Sequence, residues 1–389
     1  MGRKNQKHEL FYNTSASPLD PKAVPLGGDW VSLGSVATDY TPNSEGQVGV
    51  SFAEADGGVI ANARYAPVGL NYKHPFVDPY SGRGDWVDEY YYIYNDMIGV
   101  RSATLYSTAI DTGADWQESI IVHQPGRSPE DNIEATAVSI GNLAGDVVEY
   151  TWPGVAVKGG LLEGLPELPC IQTINLKSES RPFMIVPPAP EVAVNKFRGH
   201  SQSSIFHWWN HWPVSQGRTT VTNAVDASRP AHSSITIWKG WKPYRVTDHS
   251  KTYLHLHGMT DKSVKDLTGL AKSWISPAEM NVLSENCRND GYDKEHKAYV
   301  VELKDSSKLR PLHLELKASP DSPLVHPAIV VKNWSFDTKA QVEVAGRKLK
   351  PEDIRIGLEH GLEGDNLVVW LRLEAKKPIE IKIKPIAAK

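Results

Sequence analysis

The sequence predicts an all-β protein: a large antiparallel β-sandwich, one helix, and a small C-terminal β-sandwich. Three observations point there. Short runs rich in Val, Ile, Thr and Tyr, many with apolar and polar residues alternating, recur along most of the chain. Gly, Pro, Asp and Asn occupy most gaps between them. Helical periodicity surfaces only once. Strands at regular spacing without intervening helices argue against a parallel α/β sheet.

The first element is a hairpin in VGVSFAEADGGVIANARYAP, whose alternating positions flank an Asp-Gly-Gly turn. Strands follow at 90–96 (YYYIYND), 102–108 (SATLYST), 118–124 (ESIIVHQ), 134–140 (EATAVSI) and 146–152 (DVVEYTW). In the first of these, Tyr90, Tyr92 and Tyr94 alternate with Tyr91 and Ile93, so one set faces the interior. RPFMIVPPAPEV (181–192) is proline-rich and reads as a connection or an edge. Strands resume at 233–239 and 252–258. The period then changes: Val264, Leu267, Leu270, Ala271 and Trp274 recur at helical spacing, with Ser263 as N-cap and Pro277 as the stop. From LHLELKA to IEIKIKP the alternation is strict. The expected organisation is a large sandwich over 1–260 carrying the functional site, a helix and connection over 261–309, and the small sandwich over 310–389.

At 389 residues the chain is long enough for two domains. A net charge of −4 and 23 % charged residues do not point to nucleic acid or a membrane surface as a partner. No apolar run of transmembrane length is present, and MGRKNQKHELF lacks the apolar core of a secretory signal. Cys170 and Cys287 are the two cysteines, neither in a metal-binding spacing, and read as buried small hydrophobes. GRGD at 82–85 is too short to support an adhesion reading.

One stretch departs from this ordinary background. Residues 206–218 read FHWWNHWPVSQGR, and residues 200–257 hold seven of the fourteen histidines and five of the twelve tryptophans. Six basic side chains stand there against two acidic ones, a local charge of +4 within a chain of −4. Tryptophan faces stack on sugar rings, arginine pairs bidentately with carboxylate or sulfate, and histidine moves protons near neutral pH. Together these fit a groove for an acidic polysaccharide. Packing alone accounts for tryptophans one by one, and a core role for His255 or His257, but not for Asn210, His211, Gln216, Arg218, Arg229 and His232 beside them. A metal site is the alternative chemistry: His207 and His211 at i, i+4 with His255 and His257. Pro213 and the scarcity of acidic residues argue against it.

WWNHWPVSQGR followed by DASRPAHSSI resembles bacterial polysaccharide lyases, and among them the ulvan lyase-like polysaccharide lyase family 40. The matching stretches are Asn210–Val214, Asp226–Ser233, Leu256–Lys262 and Gly291–Val300, with VHPAIVVKNW and EGDNLVVWLRLEAKKP near the C-terminus. The likeness runs from about residue 165 onward. It implies β-elimination on a uronic-acid polysaccharide without a cofactor or a metal, and a secreted or periplasmic enzyme, although the chain shows no export signal.

In that reading Asn210 and Arg218 neutralise the C6 carboxylate, His211 is the base, and Tyr244, between Lys242 and Arg245, serves as acid or base. Arg229 and His232 grip sulfate or a second uronate. Trp208, Trp209 and Trp212 are stacking platforms, and His207 and Gln216 complete the substrate-binding set. A non-catalytic carbohydrate-binding β protein and a metal-dependent sugar hydrolase remain the alternatives.

Overall fold

The computed structural model describes residues 49–55, 58–66, 76–111, 117–123, 129–151, 160–196, 205–207, 231–305, 310–334, 339–361 and 364–386, together with a short strand pair, β1 (Gln6–Lys7) and β2 (Thr38–Asp39). The fold is all-β. Among the described residues the only helix longer than a single turn is Thr268–Ile275. The chain divides into two compact units. One comprises Met1–Ser51, Asn62–Tyr90 and Arg101–Asp266; the other comprises Phe52–Ala61, Tyr91–Val100 and Leu267–Lys389.

The first unit holds most of a ten-stranded sheet. Its strands, in spatial order, are β3 (Gly49–Ala55), β4 (Gly58–Tyr65), β5 (Trp86–Ile93), β6 (Ile98–Tyr106), β17 (Ser250–Thr260), β12 (Arg181–Ile185), β11 (Ile171–Leu176), β8 (Ile133–Gly141) and β9 (Val147–Thr151). From β17 to β9 the pairs are antiparallel. A short β16 (Arg245–Val246) pairs with β17. A second sheet runs β10 (Gly160–Leu161), β13 (Ala193–Lys196), β15 (Ala231–Lys239) and β14 (Ile205–His207), with β7 (Gln117–His123) on β15.

Gln172 ties the two sheets together. Its Nε2 donates to Ser119 Oγ on β7 at 2.7 Å, and its Oε1 accepts from Thr236 Oγ1 at 2.8 Å and Trp238 Nε1 at 2.6 Å, both on β15. A buried amide with its partners in place avoids the desolvation penalty that it would otherwise carry.

The stretch 181–192 divides. RPFMI is not an edge but forms β12 in the interior of the large sheet, between β17 and β11, while the proline-rich residues 186–192 are the connection to β13. Pro182 is tolerated because pairing with β11 begins only at Phe183, so at Pro182 β17 alone is in register.

The helix is also shorter than its periodicity suggests, starting at Thr268 rather than at Ser263. Ser263 instead closes a preceding turn with Asp266: Ser263 Oγ donates to the carboxylate at 2.6 Å and accepts from Asp266 N–H at 3.2 Å. The apolar positions Val264, Leu267, Leu270, Ala271 and Trp274 are buried as the pattern requires.

β15 ends at Gly240, which has φ +84°. A Cβ there would lie 2.0 Å from the Glu191 carbonyl oxygen. Gly240→Ala is therefore expected to cost about 1–3 kcal/mol, from the left-handed backbone and a clash that rigid backbone cannot relieve. A thermal melt unchanged from the parent chain would contradict this.

The second unit packs two five-stranded sheets. One is ordered β18 (Glu279–Val282), β21 (Leu312–Lys317), β29 (Ile379–Ile386), β24 (Lys339–Val344) and β25 (Arg347–Lys348). The other is ordered β19 (Cys287–Asp293), β20 (Ala298–Leu303), β23 (Ala328–Trp334), β27 (Gly364–Leu371) and β26 (Ile354–Gly361), with β20 and β23 parallel. β22 (Leu324–Val325) and β28 (Glu374–Ala375) form a small pair.

Strict alternation sets the core here. Leu312, Leu314, Leu316, Ile381 and Ile383 are fully buried and meet Val301, Ile329, Val331, Leu367 and Val369 from the other sheet. The intervening residues face outward, where His313 Nε2 meets Glu380 at 2.9 Å and Lys384 meets Glu343 at 2.7 Å.

Candidate functional site

The inner face of the large sheet carries an unusual row of polar groups. Gln172, Met184 and His257 are successive Cα partners across β11, β12 and β17, so their side chains leave the same face. Gln172 shows that this face looks toward the second sheet. His255, two residues from His257, shares it. A hydrogen bond of 2.9 Å between the Thr104 and Thr252 hydroxyls fixes the parity of β6 against β17, placing Arg101 on the side of His255.

Arg101 forms an ion pair with Glu89, in which both side chains are only 1 % exposed. Tyr65 Oη donates to the Glu89 carboxylate at 2.8 Å. Tyr65, Glu89, Arg101, His255 and His257 thus line up across β4, β5, β6 and β17.

The electrostatics follow from burial. Both histidines are 3 % exposed, and their rings stand edge to face, 5.2 Å between centroids. Desolvation pushes the His257 pKa down to about 3, helped by the Arg101 charge. His255 falls well below its usual value for the same reason, with His257 and then Arg101 adding to the effect. The pair is therefore neutral at physiological pH, and His255 Nε2 is buried without a hydrogen-bond partner. Guanidinium, carboxylate, phenol and two neutral imidazoles therefore form a buried polar row, with the guanidinium charge already matched by the carboxylate.

Of the residues singled out from sequence, Trp208, Trp209, Asn210, His211, Trp212, Gln216, Arg218 and Arg229 lie outside the described residues. His207 and His232 fall on β14 and β15. His207 is the Cα partner of Ala231, which in turn partners His123 on β7, and His232 is the next residue along β15. At about 4.8 Å per strand step, the Cα positions of His123 and His207 are roughly 10 Å apart. Tyr244 is exposed; its N–H donates to the Thr252 carbonyl at 2.7 Å, and the Arg245 guanidinium carbon lies 5.7 Å from its ring centre.

Two of the five tryptophans in this region, Trp238 and Trp241, are interior packing residues. Among the described residues no group of three or more His, Cys, Asp or Glu side chains is arranged to hold a metal ion. Both cysteines are free and buried. The GRGD stretch does not present its acid, since Asp85 is only 5 % exposed. No helix among the described residues is long and apolar enough to cross a membrane.

Glu89, Arg101 and Tyr65 were not singled out from sequence. The signal was present: the inward positions of β5 read Val87, Glu89, Tyr91, Ile93, and those of β6 read Gly99, Arg101, Ala103, Leu105. Opposite charges each interrupt a face that should be apolar on two sequential strands. No protein-family model matches the chain, and no curated protein matches it.

Proposed function

We propose that the chain is a polysaccharide lyase that cleaves a uronic-acid polysaccharide, sulfated as in ulvan, by β-elimination. The observation that carries the reading is the crowding of imidazole, indole and guanidinium groups into residues 207–232, where His207, Trp208, Trp209, His211, Trp212, Arg218, Arg229 and His232 fall together. The register adds to it by gathering His123, His207 and His232 at one end of three adjacent strands.

The chemistry assigns each group a task. Asn210 and Arg218 neutralise the C6 carboxylate, which makes the C5 proton acidic. His211 removes that proton, its electron pair forms the C4–C5 double bond, and the C4–O4 bond breaks as Tyr244 protonates the departing oxygen. Arg229 and His232 hold sulfate or a neighbouring uronate, while His207, Gln216, Trp208, Trp209 and Trp212 seat the sugar rings. Tyr244 suits its task in being exposed and next to a guanidinium. Because the substrate is an extracellular polymer, the site of action belongs outside the cytoplasm.

The test is product analysis on ulvan, alginate, heparin-like and pectic polymers. A lyase generates a 4,5-unsaturated uronate that absorbs in the ultraviolet, and His211→Ala should lower its rate of formation by about 10²–10⁴-fold. Reducing ends without that absorbance would replace the lyase with a hydrolase. Binding without either product would leave a carbohydrate-binding protein.

A further inference from the structure

We infer that the second unit carries an anion site of its own, built by Arg355, Arg372 and His326 around Trp370, which takes the carboxylate of a uronic-acid residue. The site belongs to the sheet of β20, β23, β27 and β26, on the face turned away from its partner sheet. Leu371 and Leu373 pack into the core between the two sheets, so Trp370 and Arg372, which alternate with them, leave the opposite face. Arg355 on β26 is the Cα partner of Trp370 and shares that face.

His326, between β22 and β23, would follow Leu324 into the core if the chain simply alternated. Its left-handed backbone, φ +45°, turns it outward instead. The imidazole stands 5.7 Å from the Trp370 ring, edge to face, and the Arg372 guanidinium carbon lies 5.9 Å from the same ring. Lys297 Nζ holds the turn in place by donating to the His326 carbonyl at 3.1 Å. Two guanidiniums and one imidazole thus surround a single indole.

Each of these groups keeps bonding capacity in reserve. Arg355 is anchored through Nη1 to the Pro351 and Ile354 carbonyls at 2.6 and 2.8 Å, which leaves Nε and Nη2 uncommitted. Arg372 is exposed. Among the described residues neither guanidinium has a carboxylate partner, and Asp353 and Glu374, each two residues from one of them, form no ion pair with either. Guanidiniums in that state suit a carboxylate supplied from outside.

Asp96 fixes the imidazole. Its carboxylate accepts from His326 Nδ1 at 2.8 Å and from the Ile98 N–H at 3.2 Å. With the proton held at Nδ1, Nε2 of the neutral ring is an acceptor. The His326 side chain is 21 % exposed, and Nε2 has no partner among the described residues. The buried Trp370 N–H is also without a partner, a cost that a bound oxygen would remove.

Guanidiniums that seek a carboxylate beside an imidazole that seeks a hydroxyl proton match a hydroxy acid. A uronate ring presents both groups together. Trp370 is fully buried, so recognition here works through oxyanion and hydroxyl rather than through ring stacking. The choice of a sugar acid rests on the lyase reading; the site itself uses none of residues 200–257.

The test is a glucuronate titration of the full chain carrying isotope-labelled histidine, read by NMR at the His326 ring signal, which His326→Gln identifies by its loss. Glucuronate should shift that signal saturably, and glucose should leave it in place. Arg355→Gln and Arg372→Gln should each weaken glucuronate binding about tenfold or more. A signal unmoved by glucuronate would overturn the inference, as would glucose binding equally well or both variants binding like the parent chain. Inorganic sulfate binding as tightly as glucuronate would overturn the assignment to a sugar acid. If glucuronate binds here while the parent chain forms no unsaturated product from any of the four polymers, this site stands and the lyase reading falls. Cleavage with an unmoved His326 signal gives the reverse.

Discussion

Arg101→Met is expected to cost about 3–5 kcal/mol of stability. The substitution keeps most of the side-chain volume, so the loss is electrostatic. Glu89 would be left with a carboxylate 1 % exposed and no guanidinium beside it, and the Tyr65 hydroxyl is a neutral donor that cannot replace a full charge. Glu89→Leu should cost a similar amount by stranding the guanidinium in the opposite sense.

The informative variant is the pair. Arg101→Met/Glu89→Leu removes both charges together, so that neither is left buried without the other, and should be more stable than either single variant. Equilibrium urea unfolding of the four chains, analysed as a double-mutant cycle, measures this directly. Single losses that simply add would mean that the two charges do not depend on each other, and the inner row would lose its standing as one unit.

The fold was legible because period-2 patterning is a local property. LHLEL and IEIKI declare strands that bury one face, and the structure buries Leu312, Leu314, Leu316, Ile381 and Ile383 completely. What could not be read locally was neighbourhood. RPFMI looks like an edge because proline lacks a donor, yet the position of β12 depends on which partner is in register at Pro182, a fact held by strands some 10 and 75 residues away. The helix start failed for a related reason: Ser263 has the residue type of an N-cap, but its hydroxyl is engaged with Asp266 one turn before the helix.

The inner row lies between these cases. The i, i+2 spacing of His255 and His257 shows that they share a face, but sequence cannot tell a face that meets solvent from one that meets a second sheet. Gln172, reaching Ser119, Thr236 and Trp238 from 53 to 66 residues away, decides that. Glu89 and Arg101 were legible only as a correlated exception, one charge of each sign on the inward side of sequential strands. The candidate residues from Trp208 to Arg229 stand on composition and resemblance alone.

The same burial makes the protein acid-labile in a window that can be stated in advance. His257, held down to about 3 in the folded chain, returns to about 6.5 when the chain unfolds. The unfolded state therefore binds the extra proton between those two values, and stability falls as pH drops through the range. Above pH 6.5 the contribution is fully present. From pH 7 to pH 5 it should diminish by about 2 kcal/mol for His257, and His255, whose pKa is also lowered by burial, acts in the same direction.

Acidic residues facing the pair would oppose this by attracting the incoming proton. Glu89 is the carboxylate on this row, and it is already engaged by Arg101 and Tyr65, while the Arg101 charge works in the same direction as desolvation. His257→Gln keeps a polar side chain of similar reach but does not titrate. Urea midpoints at pH 7 and pH 5 should therefore converge in that variant relative to the parent chain. A parent chain whose stability is flat between these pH values would mean that the imidazoles are already protonated or reach water in the folded state, and the row could then not be the dry, neutral array that its geometry describes.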